Sequence, residues 1–72
     1  MTRADLERLP LERVQNLYHA YNLIIESIEY VVGGPSNVGA NGEYWSAVSR
    51  RNMCRQVYND RVMKGETNGT GK

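Results

Sequence analysis

The sequence predicts an all-α fold in which a short N-terminal helix lies across an antiparallel hairpin of two long helices. Apolar residues in the range 11–32 recur every three or four positions, which is the spacing of one helix face. Gly33, Gly34 and Pro35 then end this pattern. A second segment with helical spacing follows, covering about residues 43–64. Each long helix needs a partner for its apolar face, and the break between them allows them to pair.

Length and composition restrict the class of protein. A chain of 72 residues, 40% of them hydrophobic, is expected to form one domain with a net stability of roughly 3 to 5 kcal/mol. Its net charge of +1 argues against a typical free-standing nucleic-acid binder. Its one cysteine excludes an internal disulfide and suits a reducing compartment. No apolar run reaches the roughly 18 residues of a membrane span, so we expect a cytoplasmic protein with no membrane segment.

The short helix is predicted for about residues 3–9. Thr2 can cap it, and Asp5 occupies the acidic position of a capping box. Pro10 disfavours helical geometry at the residue before it and suits the start of a new helix. Leu6 and Leu9 share one face of this segment. In the alternative interpretation, residues 1–9 are a frayed arm that becomes ordered only on a partner.

The first long helix, about residues 11–32, carries a seam of apolar residues along its whole length. The seam consists of Leu11, Val14, Tyr18, Tyr21, Ile25, Ile28 and Val32, and is widened by Leu17, Ile24 and Val31. Leu23 and Tyr30 fall on the opposite side of the helix. They are either ordinary core residues under the short helix or, together with Trp45, an exposed patch suited to binding.

The loop 33–42 is predicted to be an irregular connector, because it is rich in Gly and Asn and lacks a phosphate-binding motif. Asn41 or Gly42 can cap the second long helix. The apolar face of that helix comprises Tyr44, Ala47, Val48, Cys54, Tyr58 and Val62. The polar residues 65–72 are predicted to form a flexible tail.

Arg51 interrupts the apolar face of the second long helix, with Arg55 at its edge. Antiparallel pairing brings Arg51 and the neighbouring Arg50 close to Glu26. The favoured interpretation is therefore an ion pair from Arg50 or Arg51 to Glu26 or Glu29, because an unpaired buried charge would cost several kcal/mol. The alternative is a basic surface made of Arg50, Arg51, Arg55 and Arg61.

The sequence indicates neither an enzyme nor a cofactor. His19 has no second ligand at metal-binding spacing, so we expect no metal site and place it on the surface. Cys54 lies among apolar helix positions and is expected to be packed and unreactive.

We predict a small non-enzymatic protein-interaction module, a regulator that docks on a larger protein or complex. In its compact size it is similar to small regulators such as phage proteins that bind host transcription machinery. Because no motif is shared with them, this similarity assigns no functional residue. The residues predicted to contact the partner are Leu6, Leu9, Leu23, Tyr30, Trp45, Arg50, Arg51 and Arg55.

Two alternatives remain open. The first is nucleic-acid binding through the second long helix, using Arg50, Arg51, Asn52, Arg55, Gln56 and Arg61. The second is a self-associating structural protein that pairs its 11–32 seam between chains, although about three heptads barely suffice for a coiled coil. In solution we expect a monomer or a weak homo-oligomer.

Overall fold

The computed structural model describes residues 2–66 and confirms the all-α prediction. Its three α-helices are α1 (Arg3–Arg8), α2 (Leu11–Val32) and α3 (Gly42–Met63), and a single 3-10 turn, Pro35–Asn37, lies in the loop between α2 and α3. Helices α2 and α3 pack along each other as the predicted hairpin, and α1 packs on α3. Within the described range, neither long helix has the apolar character needed to cross a bilayer.

Helix α1 begins at the predicted capping box. The Asp5 amide donates to Thr2 Oγ1 at 3.2 Å, and the Thr2 amide donates to the Asp5 carboxylate at 3.0 Å. Leu6 is only 1% exposed and belongs to the core. The structure therefore has a packed short helix rather than a frayed arm.

The capping box should be sensitive to acid. Its hydrogen bonds from the backbone and side chain of Thr2 hold the pKa of the Asp5 carboxyl below the ordinary value of 3.8, because they stabilise the charged form. A depressed folded-state pKa stabilises the fold above the unfolded-state pKa, and this contribution disappears as the pH falls through the folded value. We expect an NMR titration of Asp5 to show a midpoint below 3.8, and Thr2→Ala to raise it. Thr2→Ala keeps the amide donor of residue 2, so it should remove only part of the shift, and a wild-type midpoint at or above 3.8 would contradict the assignment.

The hairpin core is divided into two clusters along its length. One lies at the end covered by α1 and consists of Leu6, Val14, Cys54 and Val57. The other lies near the loop and consists of Ile25, Val38, Tyr44 and Ala47. Tyr21 packs against both clusters. The two ends of the hairpin are therefore connected through the middle of α2.

The predicted apolar faces are largely confirmed, with one shift on α3. Leu11, Val14 and Ile25 of the seam are buried, as expected. On α3 the structure buries Val57, which the sequence interpretation omitted, and exposes Val62, which it included. Val57 is covered because it shares a cluster with Leu6 of α1.

The loop is more ordered than predicted. Gly33 has a φ of 93° and ends α2, with the amides of Gly33 and Gly34 both donating to the Glu29 carbonyl oxygen. Val38 lies in the core cluster near the loop, which fixes the 3-10 turn against the hairpin. Asn41 then caps α3, since its side-chain oxygen accepts from the Tyr44 amide at 3.0 Å.

The end of α3 extends the ordered chain slightly beyond the prediction. Glu66, assigned from sequence to the flexible tail, accepts hydrogen bonds from the Arg61 guanidinium at 2.7 to 3.0 Å. The remainder of the predicted tail, residues 67–72, lies outside the described residues.

Candidate functional site

An open groove of about 610 Å³ runs between the C-terminal half of α2 and the N-terminal half of α3. Its lining residues are Tyr21, Leu23, Ile24, Ser27 and Ile28 of α2, and Gly42, Glu43, Ser46, Ala47 and Arg50 of α3. Leu23 is 65% exposed and Ile24 is 45% exposed, so large apolar side chains face solvent here. A hollow of about 260 Å³ shares Ser27, Ile28 and Glu43 with the groove and extends it past Val31 towards the loop.

The groove is the uncovered continuation of the side on which α1 packs. Leu17 and Val57 belong to the apolar cluster around Leu6. About two helical turns towards the loop, the same faces of the long helices carry Ile24 and Arg50, which line the groove. Because α1 ends at Arg8 after six residues, it covers only the end of the hairpin remote from the loop.

Helix α1 shows how this side of the hairpin holds a helix. Leu6 inserts into the core, and Arg3 forms an ion pair with Asp60 of α3. The Arg61 guanidinium donates to the carbonyl oxygens of Leu6, at 3.1 Å, and Leu9. These carbonyls lie at the C-terminal end of α1, where helical partners run out. An apolar anchor and an arginine on the last carbonyls thus secure the helix.

Arg50 lies in the open groove, at a position on α3 that corresponds to the position of Arg61 beside α1. The two arginines lie on the same face of α3, about three helical turns apart. The hydrogen bond from Arg61 to Glu66 raises the pKa of Arg61, whereas Arg50 is exposed and makes no ion pair within residues 2–66. The groove therefore combines an apolar floor with an available guanidinium.

The structure places only some of the predicted partner-binding residues in this groove. Leu23 and Arg50 line it. Tyr30 is 88% exposed but lies outside the lining. Trp45 is partly a structural residue, because its indole nitrogen donates to the Gly39 carbonyl oxygen at 2.7 Å.

The structure places the two predicted partner contacts of the N-terminal segment in or beside the core. Leu6 is buried and Leu9 is half-buried, so neither presents a free apolar side chain while α1 is docked. Leu6 is taken up by the core because α1 folds back onto α3.

The predicted ion pair of Arg51 is also wrong. Arg51 donates to the side-chain oxygens of Asn22, at 3.3 Å, and Asn52. The Tyr44 hydroxyl donates to the Glu29 carboxylate at 2.7 Å, and this hydrogen bond raises the pKa of Tyr44. The antiparallel register brings Arg51 opposite Asn22, one turn from the predicted Glu26, so neutral amides satisfy its guanidinium.

The arginines of α3 do not form one basic surface. Arg50 lines the groove, while Arg55 lines a different cleft on the other flank of the hairpin. Arg61 is directed at α1, and Asn52 is bonded to Arg51. Gln56 is exposed. The residues proposed for nucleic-acid contact are therefore dispersed around the helix.

The sequence interpretation missed Ser46 and Glu43 as groove residues and treated Ile24 as part of the buried seam. The sequence did contain an indication of the groove. Ile24 and Val31 make the apolar face of α2 wider than one partner helix covers. The side on which α1 packs determines which part of the apolar face of α2 stays exposed. This packing is a tertiary contact, which helical spacing in the sequence does not reveal.

Comparisons with protein-family models, curated proteins and solved structures give no match to this chain, so the groove is interpreted from its own chemistry. Cys54 is fully buried, and burial raises the pKa of its thiol. His19 is exposed and packs edge-on against Tyr18. Within residues 2–66, no group of three or more His, Cys, Asp or Glu side chains could hold a metal ion.

Proposed function

We propose that this protein is a non-enzymatic interaction module whose α2–α3 groove receives a short amphipathic helix from a partner protein. The observation that carries this proposal is the exposure of Leu23 and Ile24 along a groove that continues the side of the hairpin on which α1 packs. Exposed apolar side chains in a concave surface with a polar rim are typical of helix-binding grooves.

The charges on the groove rim define the partner helix more closely. Arg50 and Glu43 lie on one face of α3, about two turns apart. A helix that presents apolar residues every three or four positions, with an acidic residue or its last carbonyls at Arg50, complements this rim. Binding in this way repeats the contacts by which Arg61 holds α1.

Docking of the module on a larger regulatory complex, such as transcription machinery, remains a prediction of this proposal. Its support is a small core together with an apolar surface that the described chain leaves uncovered. Among the groove-lining residues, Glu43 is the one carboxylate, and no histidine or cysteine accompanies it. The lining therefore suits binding rather than acid–base chemistry.

The test pairs a groove variant with a control on the other flank. Tagged wild-type, Ile24→Asp and Arg55→Glu proteins are used to capture partners from lysate with and without nuclease treatment, and the bound helix is then prepared as a peptide for anisotropy titration. We expect Ile24→Asp to weaken peptide binding by about tenfold to a hundredfold, since it places a charge in the apolar floor. Arg50→Glu should weaken it by a smaller factor, and Arg55→Glu should change it less than about twofold.

Three outcomes would contradict the proposal. Equal losses for Ile24→Asp and Arg55→Glu would show that the groove is not the specific contact. Capture that disappears with nuclease would favour the nucleic-acid alternative. A doubled mass in sedimentation, abolished by Ile24→Asp, would make a second copy of this chain the occupant of the groove.

A further inference from the structure

A second cleft, of about 250 Å³, lies on the opposite flank of the hairpin from the groove. It is formed where the N-terminal half of α2 meets the C-terminal half of α3. Its lining residues are Gln15, Tyr18, His19, Arg55, Tyr58 and Asn59. The proposed function does not use any of these side chains.

The lining of this cleft carries hydrogen-bond donors and no carboxylate. Arg55 supplies a permanent positive charge and forms no ion pair within the part of the chain that the structure describes. The hydroxyls of Tyr18 and Tyr58 and the amide of Asn59 add neutral donors. A guanidinium beside several neutral donors, without a competing acid in the lining, is suited to an oxyanion.

The walls of the cleft are aromatic and held in place. Tyr18 and Tyr58 are half-buried and pack against the core cluster that contains Val57. The His19 ring stands edge-on to Tyr18, with 5.5 Å between ring centroids and 72° between ring planes. Ring faces of this kind favour a flat apolar group over a compact hydrated ion. The volume is below the usual range of drug-sized pockets, so the ligand is small.

We propose that this cleft binds a flat ring bearing an oxyanion, with the ring between Tyr18 and Tyr58 and the phosphoryl or carboxyl oxygens at Arg55. Aryl phosphates, including the side chain of phosphotyrosine, carry the oxyanion directly on the ring, and nucleoside monophosphates carry a flat base and a phosphate joined through the sugar. The cleft is independent of the groove because its lining shares no residue with that of the groove.

The test is an NMR titration of ¹⁵N-labelled full-length protein with phenyl phosphate, AMP, inorganic phosphate and phenol. We expect phenyl phosphate or AMP to shift the amides around Tyr18 and Tyr58, and whichever binds more tightly identifies the source of the ring. Phenol lacks the charge and inorganic phosphate lacks the ring, so each should bind at least about tenfold more weakly. Arg55→Gln should weaken binding of the tighter ligand by about tenfold or more. The matched control, Arg50→Gln on the other flank, should leave it unchanged.

Several results would overturn the proposal. Equal affinity for inorganic phosphate and phenyl phosphate would show that the ring contributes nothing to binding. Equal losses with Arg55→Gln and Arg50→Gln would reduce the effect to non-specific charge attraction. Absence of shifts with both phenyl phosphate and AMP would rule out the site. None of these results bears on helix binding in the groove, because peptide titrations with Ile24→Asp test that function separately.

Discussion

Replacing Leu6 by alanine is expected to lower the free energy of unfolding by about 2 to 4 kcal/mol. Leu6 is 1% exposed and is the one buried residue that α1 contributes to the core. Its removal leaves a cavity against Val14, Cys54 and Val57, and α1 has no other large apolar side chain to fill it. In a domain of this size the loss is a large share of the roughly 3 to 5 kcal/mol available. Urea denaturation followed by circular dichroism measures it.

The matched control is Leu23→Ala, the same chemical change on a side chain that is 65% exposed. We expect it to alter the free energy of unfolding by less than about 0.5 kcal/mol, because little apolar surface leaves water at this position on folding. Similar losses for the two variants would mean that α1 is not packed as described, or that the groove is already covered in solution.

Replacing Arg61 by glutamine is expected to release α1 and to lower the free energy of unfolding by about 1 to 2 kcal/mol. The Arg61 side chain is 14% exposed, and its charged hydrogen bonds reach the Leu6 and Leu9 carbonyl oxygens and Glu66. Glutamine is shorter and neutral, so it cannot make all three contacts. The Leu6 amide, which donates to the Thr2 carbonyl oxygen, should then exchange its hydrogen faster with solvent.

Arg55→Gln provides the comparison, since it removes the same charge from α3 without a contact to α1. Unchanged exchange at Leu6 in Arg61→Gln would show that apolar packing alone holds the short helix. It would also weaken the proposed role of Arg50, which rests on the contacts that Arg61 makes.

The helix boundaries were predictable because the signals are local. Thr2, Gly33 and Asn41 each make their capping contact within a few residues, so the sequence around them is sufficient. The buried face of α3 was less predictable. Arg51 lies among its apolar positions, and the choice between Val57 and Val62 depends on where α1 packs, which is a long-range contact.

The sequence identified several residues that line the groove and the cleft, but not which of them lie on the same surface. Leu23 and Arg50 were recognised as candidates, yet the sequence grouped Arg50 with Arg55, which lies on the other flank. The observed register also places Arg51 against Asn22, one helical turn before the expected Glu26. Register and flank depend on how the helices rotate against each other, and helical spacing alone does not determine that rotation.

The division of the core into two clusters has a consequence for cooperativity. Each cluster joins α2 to α3 at one end of the hairpin, and Tyr21 packs against both. A ligand that orders one end of the hairpin can therefore affect local unfolding at the other end. This effect passes through the middle of the helix pair, where Tyr21 lies. Together with the hydrogen bond from Arg51 to Asn22, this ring contributes to how far the small domain unfolds as one thermodynamic unit rather than two.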